Sequence, residues 1–127
     1  SKALGQDVIV NFTPHLIPMS RGELCTSYLR LAGSATADDL RTALADAYQE
    51  EPFVHVAPEG ELPKTQNVRG SNHCQIGVVA DRVPGRAIVI SVIDNLVKGS
   101  AGQAVQNFNL MYGLDETTGL TQQALFP

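Results

Sequence analysis

One continuous stretch organises this chain: the apolar run AIVISVI at residues 87–93, followed by DNLVKGSAGQAVQN at residues 94–107. The first part is apolar on both faces of a strand, which predicts a central, covered strand. The second part predicts a long helix with one apolar face toward the core. The residues of that face are Ala101, Ala104, Val105, Phe108 and Met111. Gly99 and Gly102 interrupt the opening of the helix at a cost of about 1 kcal/mol each relative to alanine, so we expect close approach of a backbone or a ligand there.

The pattern upstream predicts an α+β fold, a mixed and mainly antiparallel sheet with helices on one face. The predicted strands are 7–12, 23–31, 53–57, 75–80 and 87–93. Pro84-Gly85 predicts a type II turn that joins the last two strands as an antiparallel hairpin. Thr36 and Asp39 form a capping box, which predicts a helix that ends before Pro52.

Two further segments carry structural signals. Residues 58–64 contain two prolines and a glycine, and they predict an exposed loop. Residues 1–6 read as the last turn of a helix followed by its glycine, without the beginning of that helix. The sequence therefore has the character of a piece of something longer.

Composition restricts the partners of the chain. Its 127 residues suffice for one domain with a core, and the net charge is −4 with nine scattered lysines and arginines. A nucleic acid is not predicted as a partner, since no basic stripe is present. A membrane is not predicted either, because the longest apolar run is far shorter than the roughly 20 residues of a spanning helix. Cys25 and Cys74 stand outside any CxxC motif and no secretory signal is seen, which predicts two free thiols in a cytoplasmic, reducing compartment, with a single structural disulfide as the alternative.

His15 and Arg21 are the first candidates for chemistry. His15 lies between Pro14 and Pro18, in a stiff but irregular segment where it could transfer protons near neutral pH. Arg21, beside Gly22, could bind a carboxylate or phosphate with its planar guanidinium. The alternative is a capping histidine and a surface arginine.

The other histidines and the cysteines predict no second catalytic centre. His73 and Cys74 are adjacent, and adjacent strand residues point to opposite faces, which argues against a nucleophile activated by its neighbour. Together with Cys25 and His55 they show no zinc-ligand spacing, so we predict structural thiols and no metal. His55 is expected on the solvent side of its strand.

Asp94 and Asn95 stand where the last strand meets the helix. Either could cap the helix, and such a junction is also where α/β proteins bind anions and nucleotides. The glycines that follow match neither GxGxxG nor a Walker loop, so the chain shows no dinucleotide-binding fold of its own.

Three blocks, residues 12–22, 70–74 and 94–107, occur in the order seen in N-acetyl-gamma-glutamyl-phosphate reductases, and the chain resembles that family. The resemblance implies a fold like the C-terminal domain of glyceraldehyde-3-phosphate dehydrogenase. It also implies an NADP-dependent enzyme of arginine biosynthesis that reduces N-acetyl-glutamyl 5-phosphate to N-acetyl-glutamate 5-semialdehyde. In this family a cysteine thiolate attacks the acyl phosphate before hydride transfer.

The chain departs from the family in one respect. The dinucleotide-binding domain and the catalytic cysteine in its Asn-Pro-Gly-Cys context do not occur in this sequence, and Cys25 and Cys74 do not stand in that context. The resemblance thus implies that residues 1–93 are a substrate-binding and dimerisation domain, incomplete at its N-terminus. Residues 94–127 would be a returning helix and tail that pack on the absent domain. The piece alone is expected to be inactive.

The resemblance also implies residue roles. His15 is the candidate catalytic acid and base, and Arg21 would bind the anionic group of the substrate. Asn95 would approach the nicotinamide carboxamide of NADP, with Lys98 and Gly99 nearby. The implied partners are a small acyl phosphate and further copies of the chain, as a dimer or tetramer.

Three alternatives stay open. A carrier-linked aminoadipyl-phosphate reductase of lysine biosynthesis shares the same chemistry. Aspartate-semialdehyde dehydrogenase is disfavoured, because it usually carries Gly-His where this chain has Gly22-Glu23. A dimerisation module without catalysis is the alternative from another class.

Overall fold

The hairpin around Pro84-Gly85 forms the middle of the sheet in the computed structural model, which describes residue 5 and residues 7–125. β3 (Cys74–Ala80) and β4 (Arg86–Ile93) pair antiparallel, with Ala80 opposite Ala87. Gly85 has a φ of 75°, as the third position of a type II turn requires. The predicted hairpin is confirmed.

The sheet has four strands in the order β1-β4-β3-β2. β1 (Glu23–Arg30) pairs antiparallel with β4, and the short β2 (Val54–Val56) pairs parallel with β3. β4 therefore has a neighbour on both sides, which confirms its predicted central position. One parallel and two antiparallel pairs make the sheet mixed and mainly antiparallel, as expected for the α+β class.

The helix α1 (Ala37–Ala47) begins at the predicted capping box. Thr36 Oγ1 accepts the backbone N–H of Asp39 at 3.1 Å, and Asp39 Oδ2 accepts that of Thr36 at 2.8 Å. The two residues thereby satisfy backbone donors that the first turn would otherwise leave unpaired. α1 contacts β2, β3 and β4, so it covers the sheet from one side.

The buried apolar core draws on β3, β4, the residues beside β2 and two loops. Its members are Phe53, Ala57, Val68, Ile76, Val78, Ala87, Val92 and Leu120. The loop at residues 58–64 also contributes, because a Cβ on Gly77 would lie 2.6 Å from Pro63 Cδ. Pro63 is buried, so the prediction of an exposed loop is wrong at this residue.

The face predicted to be buried is not the buried face of α2 (Gly102–Met111). The helix buries Gly102, Gln106 and Asn109 instead. The predicted apolar face is exposed, with Val105 at 41%, Phe108 at 51% and Met111 at 80%. Polar side chains are buried here because they have partners: Asn109 Nδ2 donates to the carbonyl oxygens of Glu116 and Thr118.

The alternating segment at residues 7–12 does not form the predicted strand. Val10 is 75% exposed and Phe12 80%, and the segment pairs with no strand in the described part of the chain. Alternation of side chains alone does not make a strand, because a strand also needs hydrogen-bonded pairing with a neighbouring strand. The helix end predicted over residues 1–6 lies outside the described residues, except for Gly5, whose φ is 63°.

Candidate functional site

Asp94 follows β4, and its carboxylate collects donors from three parts of the chain. Oδ1 accepts the backbone N–H groups of Leu96 and Val97 at 2.8 and 3.0 Å. Oδ2 accepts that of Gly70 at 2.6 Å and lies 2.6 Å from Arg21 Nε. Bonds from a side-chain oxygen to the N–H groups two and three residues on are those of a cap, here at the turn of residues 95–96 that opens the helix. Capping, one of the two roles predicted for Asp94, is therefore confirmed.

The buried carboxylate of Asp94 stays ionised at neutral pH. Burial by itself would raise the pKa of Asp94, but the three backbone N–H groups and the Arg21 guanidinium outweigh burial and lower the pKa below its usual value. The result is a fixed negative charge inside the chain, directly beside Asn95.

Asn95 connects the end of β4 to the proline-rich segment that carries His15. Its Oδ1 accepts the backbone N–H of Gly22 at 2.7 Å. Gly22 has a φ of 115°, a conformation that favours glycine. Within the described residues Asn95 Nδ2 donates no hydrogen bond, so this N–H group is available to an amide oxygen such as that of a nicotinamide carboxamide. The cofactor role that the family resemblance implies for Asn95 stays a prediction.

Arg21 is half-buried, with 31% of its side chain exposed, which fits neither a surface arginine nor a core residue. Its Nε is buried and lies close to Asp94 Oδ2. Because the Nε–H group lacks hydrogen-bond geometry toward this oxygen, the contact is an ion pair. Its Nη groups form no hydrogen bond with the described residues. One edge of the guanidinium is thus anchored by charge, and the other keeps its donors for an anion.

His15 lies on the exposed proline-rich segment. Its Nδ1 lies 3.0 Å from the carbonyl oxygen of Thr13, which can only accept a hydrogen bond, so in the neutral ring Nδ1 is the donor and Nε2 is the unprotonated nitrogen. Among the described residues, His15 makes no hydrogen bond or ion pair with Arg21, Asn95 or Lys98. The structure joins Arg21 and Asn95 through Asp94 and does not join His15 to them by contact.

Lys98 is directed into a buried polar network. Its Nζ donates to Gln106 Oε1 at 2.7 Å and lies 5.4 Å from the ring centroid of Phe53. The same oxygen accepts Asn72 Nδ2 at 2.9 Å, and Gln106 Nε2 donates to Glu116 Oε1 at 2.5 Å. Burial lowers the pKa of Lys98. Its ammonium is engaged inside the chain, unlike the amide nitrogen of Asn95.

The two glycines at the helix opening have different surroundings. Residues 97–101 form a wide turn, in which the N–H of Gly99 donates to the Asp94 carbonyl five residues back at 3.0 Å. A Cβ on Gly102 would lie 2.3 Å from Asn72 Oδ1 and 2.8 Å from the Val97 carbonyl oxygen. The expected close approach is therefore confirmed at Gly102, and the approaching group is a side chain of the same protein.

Sequence reasoning missed Asn72, Gln106 and Glu116, although one signal was present. Gly102, Gln106 and Asn109 recur at the spacing of one helix face. That stripe is small and polar, and the apolar stripe beside it matched the usual pattern of a core face. The sequence alone does not show that this polar stripe has hydrogen-bond partners in the folded chain.

His55 and His73 lie side by side at the β2–β3 edge of the sheet. The sequence predicted only that His55 would face the solvent. His55 is exposed as predicted, and its Nε2 lies 2.9 Å from His73 Nδ1. Burial, with a smaller effect of His55, lowers the pKa of His73. Both rings line a shallow cleft of about 390 Å³. The remaining lining residues are Asn67, Val68, Gln75 and Gln123.

The thiols do not form a reactive centre in this chain. Cys25 and Cys74 are both free, and burial raises the pKa of Cys74, which disfavours its thiolate. Residue 5 and residues 7–125 contain no group of three or more His, Cys, Asp or Glu side chains placed to hold one metal ion. The same residues contain no helix with the length and apolarity needed to cross a bilayer.

Comparison with known sequences identifies a family and several relatives of this chain. A family model described as "Semialdehyde dehydrogenase, dimerisation domain" matches residues 1–95. An N-acetyl-gamma-glutamyl-phosphate reductase of Ruegeria pomeroyi is 59% identical over 127 residues, which are 100% of this chain and 36% of that protein. A probable chloroplastic N-acetyl-gamma-glutamyl-phosphate reductase of Arabidopsis thaliana is 57% identical over 120 residues, 94% of this chain and 30% of that protein. The chain thus spans about a third of the length of these curated relatives.

Solved structures show the same fold at low sequence identity. Aspartate semialdehyde dehydrogenase II of Vibrio cholerae superposes with a TM-score of 0.61 at 20% identity, over 76% of this chain and 29% of that one. A probable aspartate-semialdehyde dehydrogenase of Pseudomonas aeruginosa gives a TM-score of 0.59 at 22% identity, over 72% of this chain and 27% of that one. These matches confirm the predicted α+β fold. The chain therefore belongs to the semialdehyde dehydrogenase family, carries its dimerisation domain, and has N-acetyl-gamma-glutamyl-phosphate reductases as its sequence relatives.

Proposed function

We propose that this chain is the substrate-binding and dimerisation part of an NADP-dependent reductase of arginine biosynthesis, which converts N-acetyl-glutamyl 5-phosphate to N-acetyl-glutamate 5-semialdehyde. The observation that carries the proposal is 59% identity across the whole chain to a relative of that name. Residues 1–93 form the domain that binds substrate and a second copy, and residues 94–127 pack on a dinucleotide-binding domain. The attacking cysteine belongs to the rest of the reductase, so the chain alone is inactive.

His15 is proposed to handle the proton of the reaction. In the overall chemistry a thiolate displaces phosphate from the acyl carbon, and NADPH, when bound, supplies the hydride that yields the aldehyde. The free Nε2 of His15 supports this role, because it can take the proton of the attacking thiol and later return it. The exposure of His15 is consistent with a site completed by the other part of the enzyme.

Arg21 is proposed to bind the anionic group of the substrate, and Asn95 to donate to the nicotinamide carboxamide. The unbonded Nη groups of Arg21 and the unbonded Nδ2 of Asn95 support these two roles. Gly99 is exposed and would allow the cofactor to approach the backbone. Lys98 is proposed to stabilise the surface that the cofactor would approach. Its ammonium already bonds Gln106 Oε1 and so holds the wide turn at residues 97–101 against α2.

A homo-oligomer in the cytoplasm is the proposed setting. The match to a dimerisation domain supports self-association. The two free thiols support a reducing compartment. A dimerisation module without catalysis is the second candidate, and the description of the matching family model favours it over other non-enzymatic roles.

Activity tests should use the reductase that contains these residues. We expect NADPH-dependent reduction of N-acetyl-glutamyl 5-phosphate, with little turnover of a carrier-linked aminoadipyl phosphate. His15→Asn should lower kcat by about 10²–10⁴-fold. His55→Asn, a change at another exposed histidine, should leave kcat unchanged. Normal turnover of His15→Asn would remove His15 from the mechanism, and preference for the carrier-linked substrate would replace the proposed substrate.

Cofactor contact is tested at Asn95. Asn95→Ala should raise the KM for NADPH, because the amide donor is lost. Asn107→Ala provides the control, since this exposed asparagine on α2 bonds only Gln103 among the described residues. An unchanged KM for NADPH in Asn95→Ala would refute the contact. Sedimentation of the chain itself should show a dimer, and a titration with NADPH should show no binding. Turnover by the chain alone would contradict the proposal.

A further inference from the structure

The Asp94–Arg21 pair does more than a helix cap needs. The backbone N–H groups of Leu96 and Val97 already satisfy Oδ1 of Asp94. Oδ2 is shared between Gly70 N–H and Arg21 Nε, and the Asp94 side chain is completely buried. A buried carboxylate that only capped a helix would not require the guanidinium of a residue more than seventy positions away.

The pair also fixes the orientation of Arg21. A long arginine side chain on an irregular segment samples many rotamers unless something holds it, and ordering it costs free energy on binding. Here Nε is held 2.6 Å from a buried charge, and Asn95 Oδ1 holds the next residue through the Gly22 N–H at 2.7 Å. Asp94 and Asn95 thus restrain Arg21 at both its side chain and its backbone.

We propose that Asp94 is a positioning residue for oxyanion binding: it holds Arg21 through Nε, so that the Nη groups are presented in one orientation to a carboxylate or phosphate of the substrate. A guanidinium presented in this way can form two parallel N–H···O bonds with one oxyanion. The identity of the oxyanion rests on the proposed function, whereas the positioning of Arg21 rests on the contacts of Asp94.

The test is a binding titration of the chain that does not depend on turnover. Inorganic phosphate and N-acetylglutamate are titrated separately, and the Arg21 side-chain N–H signals are followed by NMR. We expect the wild type to bind at least one of them, and the arm that binds more tightly identifies a phosphate or a carboxylate as the oxyanion. Arg21→Gln should abolish the binding, and Asp94→Asn should raise the Kd about tenfold or more.

Arg86→Gln is the control, because it removes the same charge from an exposed position at the start of β4, the end of the strand opposite to Asp94. Its Kd should equal that of the wild type. Equal weakening by Arg86→Gln and Arg21→Gln would overturn the proposal, as would a folded Asp94→Asn chain with the Kd of the wild type. No binding of either anion to the wild type would also overturn it.

Arg21→Lys keeps the test decisive if Asp94→Asn fails to fold. Lysine retains the charge beside Asp94 but lacks the planar fork, so the chain should stay folded and the Kd should rise about tenfold. A wild-type Kd for Arg21→Lys would overturn the proposal. In the reductase, Asp94→Asn should raise the KM for the acyl phosphate by a larger factor than it lowers kcat. Anion binding by a reductase without the proposed activity would refute the proposed function and leave the positioning role intact.

Discussion

Gly102→Ala should destabilise the chain, although the same change in an ordinary helix is favourable. Alanine is better than glycine by about 1 kcal/mol in a helix interior. At this position the new Cβ would lie 2.3 Å from Asn72 Oδ1 and 2.8 Å from the Val97 carbonyl oxygen. Neither neighbour can move cheaply, because Asn72 is completely buried and the Val97 carbonyl accepts the N–H of Gly102 in the wide turn.

The magnitude follows from what has to shift. Overpacking of a close-packed site costs about 1–3 kcal/mol. Displacing Asn72 breaks its 2.9 Å bond to Gln106 and leaves buried polar groups unpaired, which costs about 1–3 kcal/mol more. After subtracting the gain of about 1 kcal/mol in helix propensity, we expect a net loss of about 1–5 kcal/mol.

Urea unfolding of the chain, followed by far-UV circular dichroism, measures this loss. Gly99→Ala is the matched control, because its nearest neighbour is the flexible Ile93 Cδ1 at 3.3 Å, and it should stay within about 1 kcal/mol of the wild type. The penalty of Gly102→Ala should shrink in an Asn72→Ala background, as expected for residues in contact. A Gly102→Ala chain as stable as the wild type or more stable would refute the reasoning.

Three other predictions concern stability and reactivity. Thr36→Ala removes the side-chain half of the capping box and should lower the free energy of unfolding by about 1 kcal/mol in urea; no change would mean that the box is dispensable. The pKa of Asp94 is lowered in the folded chain, so the ionised carboxylate should contribute fully to stability above about pH 4. This contribution should be lost as the pH falls through the pKa of Asp94 in the folded chain. An acid-unfolding profile that Asp94→Asn leaves unaltered would contradict this expectation. A thiol reagent at neutral pH should modify exposed Cys25 before Cys74, whose pKa burial raises, and Cys25→Ser should remove the fast phase; a fast phase that persists would assign it to Cys74 instead.

The elements with strong local signals were predictable from sequence. The capping box at Thr36 and the Pro84-Gly85 turn each determine backbone geometry through neighbouring residues, and both occur as predicted. The doubly apolar run at residues 87–93 forms the predicted central strand, but only Ala87 and Val92 are fully buried, so the predicted cover on both faces is incomplete. The segment at residues 7–12 shows the limit of such signals. A strand needs backbone pairing with another strand, and alternation of side chains carries no information about whether that pairing forms.

The candidate site was likewise predictable from sequence only in part. Sequence identified Asp94, Asn95 and the two glycines because charge and glycine in a helix opening require a reason, and it identified Arg21 because a guanidinium beside Gly22 could bind an anion. Only the tertiary structure showed that Asp94 pairs with Arg21, that Asn72 bonds Gln106, and that Asn72 lies against Gly102. These contacts join residues 30 to 73 positions apart, and nothing in local propensity specifies which distant polar groups will satisfy each other once they are buried. Local sequence thus predicted both helices and four of the five predicted strands, because caps, turns and apolar runs act on neighbouring residues. The buried face of α2 depended instead on contacts between residues far apart in the chain.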